Sequence, residues 1–223
     1  MAVLCRDLGL LYVLDPATGS TAVASLLCER FGGEWLPAEN RPGIRRKHST
    51  LRELLDAGLL GVEEREKLCV ATNVRNPYDR LVSIYWKRMR IGADQLADPD
   101  FWIHRHTKPD RAAEIEWIKS HDFSSWIRRR FVRNWLPRLV RGESPSVYAR
   151  FVDGVDIVLR HERLQQDFDD LIRRRGGTPV EIPQRNVTME RARRDYRDEY
   201  DFLSRTLVRI GQRADLERFG YSF

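Results

Sequence analysis

Apolar and polar positions change period several times along this chain, and each change predicts an element. Leu10–Leu14 is a short apolar run that reads as a strand, and Asp15-Pro16 ends it. After a Thr18-Gly19-Ser20-Thr21 turn the spacing becomes helical, with Val23, Leu26, Leu27 and Phe31 on one face. Lys67–Val74 reads as a second strand closed by Arg75-Asn76-Pro77. Pro77 suits the first position of a helix, and the helix runs on through YDRLVSIYWKRM with Leu81, Ile84 and Tyr85 facing inward. Thr50 and Glu53 form a capping box for a helix through Leu55. Val155–Arg160 reads as a further strand, and the helix after it buries Leu164, Phe168, Leu171 and Ile172.

The remaining stretches are coarser. Gly32–Arg46 reads as a loop of about fifteen residues, long enough to suggest a function. From Pro99 to Leu139 several short helices are expected, with Trp102, Trp117, Trp126 and Trp135 spread among them, chiefly as core. Gly176–Pro183 is a loop, and a last helix covers about Tyr196–Ile210. No internal repeat, low-complexity tract or inter-domain linker interrupts the pattern. The alternation predicts one α/β domain over residues 1–223, with a mainly parallel central sheet flanked by helices.

Composition narrows the class. A chain of 223 residues, 42% hydrophobic, should bury about 70–75% of its unfolded surface, so it needs neither disulfide nor metal to hold its core. Cys5, Cys28 and Cys69 are odd in number and lack metal-ligand spacing, which predicts buried thiols in a reducing compartment. No apolar run approaches the ~18–20 residues that span a bilayer, and the N-terminal pattern is not that of a leader. A cytoplasmic protein without a membrane span is expected. The net charge is +6, with arginine clusters at 128–130, 173–175 and in 191–194. Acidic residues are interleaved at Asp167–Asp170 and Asp195–Asp201, so these runs read as solvated helix faces rather than a nucleic-acid surface. A basic balance also suits a polyanionic ligand.

The candidate chemistry begins at the first strand–loop–helix. The first N–H groups of a helix lack internal partners and carry the positive end of the helix dipole, which makes the segment an anion site. Thr18, Ser20 and Thr21 add hydroxyl groups, and Gly19 permits close approach. Ser and Thr also serve as ordinary helix caps. The loop is not a standard nucleoside-triphosphate loop, because Gly19 is followed by Ser20-Thr21 without a lysine. At the end of the second strand Arg75 stands where open α/β sheets bind ligands, and Ser83 lies about two turns into the next helix. Arginine offers a planar fork to phosphate oxygens, so the two could grip a second phosphate. Taken alone, the pair reads better as Arg75 pairing with a surface carboxylate and Ser83 filling a helix contact.

Together these segments resemble the PAPS-dependent sulfotransferases, in particular the branch of carbohydrate sulfotransferases and their soluble bacterial relatives. PATGST (Pro16–Thr21) is similar to that family's 5′-phosphosulfate loop, and VRNPYDRLVSIY (Val74–Tyr85) to its 3′-phosphate motif. KHSTLREL (Lys47–Leu54), LRHERLQQDFDDL (Leu159–Leu171), DYRDEYD (Asp195–Asp201) and FGYSF (Phe219–Phe223) also fit, so the resemblance spans nearly the whole chain. It implies a P-loop-like sulfotransferase fold and 3′-phosphoadenosine 5′-phosphosulfate (PAPS) as donor, with PAP as product and no metal. Ala17, Thr18, Gly19, Ser20 and Thr21 would hold the 5′ end, and Arg75 and Ser83 the 3′-phosphate. Arg160 and Asn186 lie in segments that often approach the nucleotide.

One position departs from the resemblance. The family's loop usually carries lysine after the proline, and this chain has Ala17. Losing one preorganised donor of that kind typically lowers a rate by about 10²–10³, so another cation is expected to reach the sulfuryl group, from Arg45, Arg46 or Lys47. His48 is the expected base for the acceptor hydroxyl or amine, since imidazole titrates near neutral pH and its segment matches the family pattern; His104, His106, His121, His161 and Glu34 are weaker candidates. The acceptor, a small molecule or carbohydrate, has no signature in the sequence, and neither has the oligomeric state. Three rivals stand beside this reading. One is a non-catalytic PAPS- or PAP-binding sensor or scaffold, motivated by Ala17. Another is a kinase, which would need a loop lysine and a Mg²⁺-holding aspartate, and the last is a nucleic-acid module.

Overall fold

Five short strands form one sheet: β1 (Ala2–Cys5), β2 (Leu10–Val13), β3 (Glu34–Leu36), β4 (Cys69–Val74) and β5 (Ile157–Arg160), in the order β3-β1-β2-β4-β5. The computed structural model describes residues 2–39, 48–98, 110–183 and 195–223. β2, β4 and β5 run parallel, while β1 is antiparallel to both β2 and β3. The mainly parallel sheet expected from the sequence is present, with an antiparallel edge that the sequence pattern did not announce. β1 and β2 form a hairpin, closed by a hydrogen bond from Gly9 N–H to the Arg6 carbonyl (2.9 Å) with Gly9 at φ +54°. β3 lies inside the stretch expected to be a loop. Three residues, Glu34-Trp35-Leu36, are too few to show an alternating pattern, and pairing with β1 alone defines them as a strand.

The period of two along each strand sorts side chains to two faces, and helices cover both. Val3, Leu10 and Tyr12 pack with Val23 and Leu27 of α1 (Ser20–Arg30) and with Phe168 and Ile172 of the helix Leu164–Arg174. Leu4, Leu11 and Val13 pack on the other face with Leu51 and Leu54 of α2 (Leu51–Asp56) and with Phe151. The capping box of α2 is present: Glu53 N–H donates to Thr50 Oγ1 (3.2 Å), and Thr50 N–H donates to Glu53 Oε2 (2.8 Å). Phe31 and Leu164 are half-buried at the margins of this core.

The described residues fall into two compact units. The first, with the sheet, comprises residues up to Asn76 and from Val147 to 183; the second comprises 77–146 and 195–223. The second unit is helical and aromatic. α3 (Pro77–Met89) begins at Pro77 as expected and buries Tyr78, Leu81, Val82 and Tyr85, with Ile84 half-buried. These side chains join Phe123, Trp126, Trp135 and Val208 in one core. Trp126 and Trp135 are therefore core residues, as expected, and Trp117 packs against the same cluster. Trp102 lies outside the described residues. The single last helix expected over Tyr196–Ile210 is instead a 3₁₀ turn, Tyr196–Glu199, followed by helices Phe202–Gly211 and Arg213–Phe219. Asp201 causes the break: its carboxylate caps the next helix by accepting from Ser204 N–H (2.6 Å).

Among the described residues no helix is long and apolar enough to cross a membrane. The three cysteines form no disulfide. Cys5 is buried, and desolvation pushes its thiol up to about 12. Cys28 and Cys69 are half-buried rather than enclosed, because each sits at the edge of the first core.

Candidate functional site

The loop from Asp15 to Thr21 joins β2 to α1 and is shaped mainly by its own hydrogen bonds. The Asp15 carbonyl accepts from Thr18 Oγ1 (2.9 Å) and Ser20 Oγ (2.7 Å). Both hydroxyl groups are buried. A hydroxyl carries a single proton, so Thr18 and Ser20 direct theirs into the loop rather than toward a ligand. This changes their expected role: they build the turn, and the donors left for an anion are the main-chain N–H groups at the helix start and the Thr21 hydroxyl. The Thr21 side chain is exposed. Ala17 and Gly19 both have positive φ, +63° and +82°. Glycine adopts that region freely, whereas alanine there costs about 1–2 kcal/mol.

A buried polar chain fixes the middle of the loop. Tyr12 OH donates to Asn73 Oδ1 (2.6 Å), and Asn73 Nδ2 donates to the Thr18 carbonyl (3.3 Å). His161 Nδ1 lies 3.1 Å from the same carbonyl. A carbonyl can only accept, so Nδ1 carries the proton and the lone pair is on Nε2. Because the peptide unit is planar and trans, holding the Thr18 carbonyl toward Asn73 and His161 turns the Gly19 N–H the opposite way. His161 packs so closely on Gly19 that a Cβ there would stand 2.9 Å from Nδ1. Burial first, and then the charge of Arg75, push its imidazole down to about 4, so it is neutral at pH 7. Parallel pairing of β4 and β5 explains the meeting: Val74 is opposite Arg160, so the residues following each, Arg75 and His161, emerge at the same end of the sheet.

Arg75 is buried, and its Nη1 donates to the Ala17 carbonyl (3.3 Å). Its backbone is clasped by the buried Tyr148 hydroxyl, which accepts from Arg75 N–H (3.2 Å) and donates to the Arg75 carbonyl (2.5 Å). The next N–H, of Asn76, donates to Glu162 Oε1 (2.6 Å). His48 also reaches this region. It has φ +68° and is half-buried, and its Nδ1 is 3.2 Å from the Leu14 carbonyl, immediately before the loop. That contact places the proton on Nδ1 and the basic lone pair on Nε2. Arg150 Nη2 donates to the His48 carbonyl (3.3 Å).

The first unit thus brings together Ala17, Thr18, Gly19, Ser20, Thr21, Arg75 and His48. Ser83 is half-buried on α3 and belongs to the second unit. Lys47, Arg45, Arg46, Asn186, His104 and His106 lie outside the described residues. Glu34 is exposed on β3, and His121 stacks on Trp117 in the second unit, with ring centroids 3.7 Å apart. Arg160 N–H donates to Asp167 Oδ2 (2.8 Å). Among the described residues no group of three or more His, Cys, Asp and Glu side chains is placed to hold a metal ion.

Sequence reasoning ranked His161 low and did not single out Tyr12, Asn73 or Tyr148. The legible signal was topological: His161 directly follows a strand, as Arg75 does, and two such residues meet when their strands are parallel neighbours. No protein-family model, curated protein or solved structure matches the chain.

Proposed function

We propose that this chain is a cytoplasmic PAPS-dependent sulfotransferase, one domain over residues 1–223, that transfers a sulfuryl group to a hydroxyl or amine of a small-molecule or carbohydrate acceptor. The observation that carries the reading is the loop at Pro16–Thr21: its Thr18 carbonyl is tied inward, to Asn73 and His161, at the start of a helix. A carbonyl held inward turns the next N–H, that of Gly19, outward, which is what a phosphosulfate group requires. The resemblance supplies the donor's identity and gives Arg75 and Ser83 the 3′-phosphate.

PAPS brings an already activated sulfuryl group, so the reading needs no metal ion. His48 Nε2 takes the proton of the acceptor as its oxygen or nitrogen bonds to sulfur. The sulfur–oxygen bond to the 5′-phosphate breaks, and its electron pair leaves with PAP. The loop N–H groups stabilise the charge that collects there, as in other in-line transfers governed by positioning and electrostatics. A positioned base contributes about 10²–10⁴ to such a rate.

Ala17 favours a second reading, a PAPS- or PAP-binding sensor without transfer, since the usual loop cation is missing at that position. Incubation with sulfur-labelled PAPS and a panel of sugars, phenols and amines separates the two. Label in an acceptor, in the presence of EDTA, supports the enzyme; tight PAP binding with no acceptor labelled supports the sensor.

A further inference from the structure

Position 17 poses a specific electrostatic problem. A loop built to hold a phosphosulfate group has alanine where a cation would assist the leaving oxygen, and the backbone there is left-handed, with φ +63°. The Ala17 carbonyl is directed at Arg75 Nη1, 3.3 Å away. The same guanidinium is close enough to His161 to act on its charge, and His161 in turn packs on Gly19. Arg75 thus touches one end of the turn 17–19 directly and acts on the histidine that packs against the other. Its main chain is fixed by the two hydrogen bonds of Tyr148, so the base of the side chain is set before any ligand arrives.

We propose that Arg75 supplies at the 5′ end of the donor the positive charge that Ala17 lacks, and so acts as a catalytic residue of the phosphosulfate loop. This rests on the PAPS reading above and extends the role of Arg75 beyond the 3′-phosphate. During transfer the acceptor atom bonds to sulfur and its proton passes to His48. The sulfur–oxygen bond breaks toward the 5′-phosphate, and the guanidinium stabilises the charge on that departing oxygen. A planar, permanently charged fork suits a phosphate oxygen better than a flexible ammonium does. One arginine can therefore replace a lysine attached to the loop itself.

Ligands that differ at the two ends of PAP test this. ADP has no 3′-phosphate, and inorganic pyrophosphate has neither nucleoside nor 3′-phosphate. Calorimetry on the full chain should show Arg75→Gln weakening ADP and pyrophosphate as well as PAP, each by about 10–100-fold, the range for a charge-assisted hydrogen bond. The double variant Ala17→Lys/Arg75→Gln should then recover ADP binding at least tenfold over Arg75→Gln, a gain that misfolding cannot produce. Thermal unfolding verifies that each variant folds. Should Arg75→Gln fail to fold, Arg75→Lys replaces it and should retain ADP and pyrophosphate binding within about tenfold; loss of both beyond that overturns the proposal. If Arg75→Gln weakens PAP but leaves ADP and pyrophosphate unchanged, Arg75 acts only at the 3′-phosphate and the proposal is wrong while the donor reading stands. Absence of recovery in the double variant also overturns it. If the wild-type chain binds neither PAP nor ADP, the donor reading itself falls, and the role of Arg75 with it.

Discussion

His161, half-buried, combines a low proton affinity with a fixed tautomer. Its Nδ1–H holds the Thr18 carbonyl, and desolvation with the nearby Arg75 charge brings the imidazole down to about 4. The unfolded chain binds that proton at the ordinary value of about 6.5, so between pH 6.5 and 4 the unfolded state holds more protons. Stability should therefore be complete above 6.5 and fall as pH drops toward 4, by about 2–3 kcal/mol from this residue. Urea unfolding at pH 7 and pH 4.5 should show the loss in the wild type and not in His161→Asn. The asparagine amide can donate from the Nδ1 position, so His161→Asn should also retain PAP binding, whereas His161→Leu should lose about tenfold. Equal PAP affinity in His161→Leu and the wild type would show that the Thr18 carbonyl does not need this donor. His48 is a different case, because its lone pair is on Nε2 while Nδ1 is tied to Leu14. His48→Ala should lower turnover about 10²–10⁴-fold with PAP affinity little changed; full turnover in that variant removes it as the base. At this scale the sequence was legible where chemistry is local, as in the turn at Gly19. It was silent where one side chain acts on a distant turn, as Asn73 and His161 do on Thr18.

Elements were legible where a turn or breaker residue bounded an apolar run, as Asp15-Pro16 does after β2. α1 and α3 have clear apolar faces, and Pro77 marks the start of α3, so both match the expected spans. β3 has three residues, too few for a period of two to emerge, and β1, though as long as the legible β2 and β5, is likewise defined by its pairing within the sheet. Asp201 divided what looked like one helix, because an aspartate that caps through Ser204 starts a helix where the apolar spacing alone continues one. The capping box of α2 can be tested directly. α2 follows His48 by three residues and depends on both Thr50–Glu53 hydrogen bonds, so Thr50→Ala should cost about 1 kcal/mol. Chemical unfolding should show that as a lower midpoint with an unchanged slope. An unaltered midpoint would mean that packing of Leu51 and Leu54, not the cap, determines the helix start.

Across the whole chain, the parallel run β2-β4-β5 does most to organise the candidate site. It delivers the loop, Arg75 and His161 to the C-terminal ends of adjacent strands, the place where open α/β sheets bind ligands. The net charge of +6 favours an anionic ligand without identifying one. The proposed function depends on the two motifs of the resemblance together, and their separate contributions can be read from one pair of ligands. The most direct measurement is titration of the wild-type chain with PAP and with ADP by calorimetry, in EDTA. Tight PAP binding with much weaker ADP binding is the predicted result, since only PAP carries the 3′-phosphate that the proposed donor site would hold. Equal affinity for the two, or no binding of either, would contradict the sulfotransferase account.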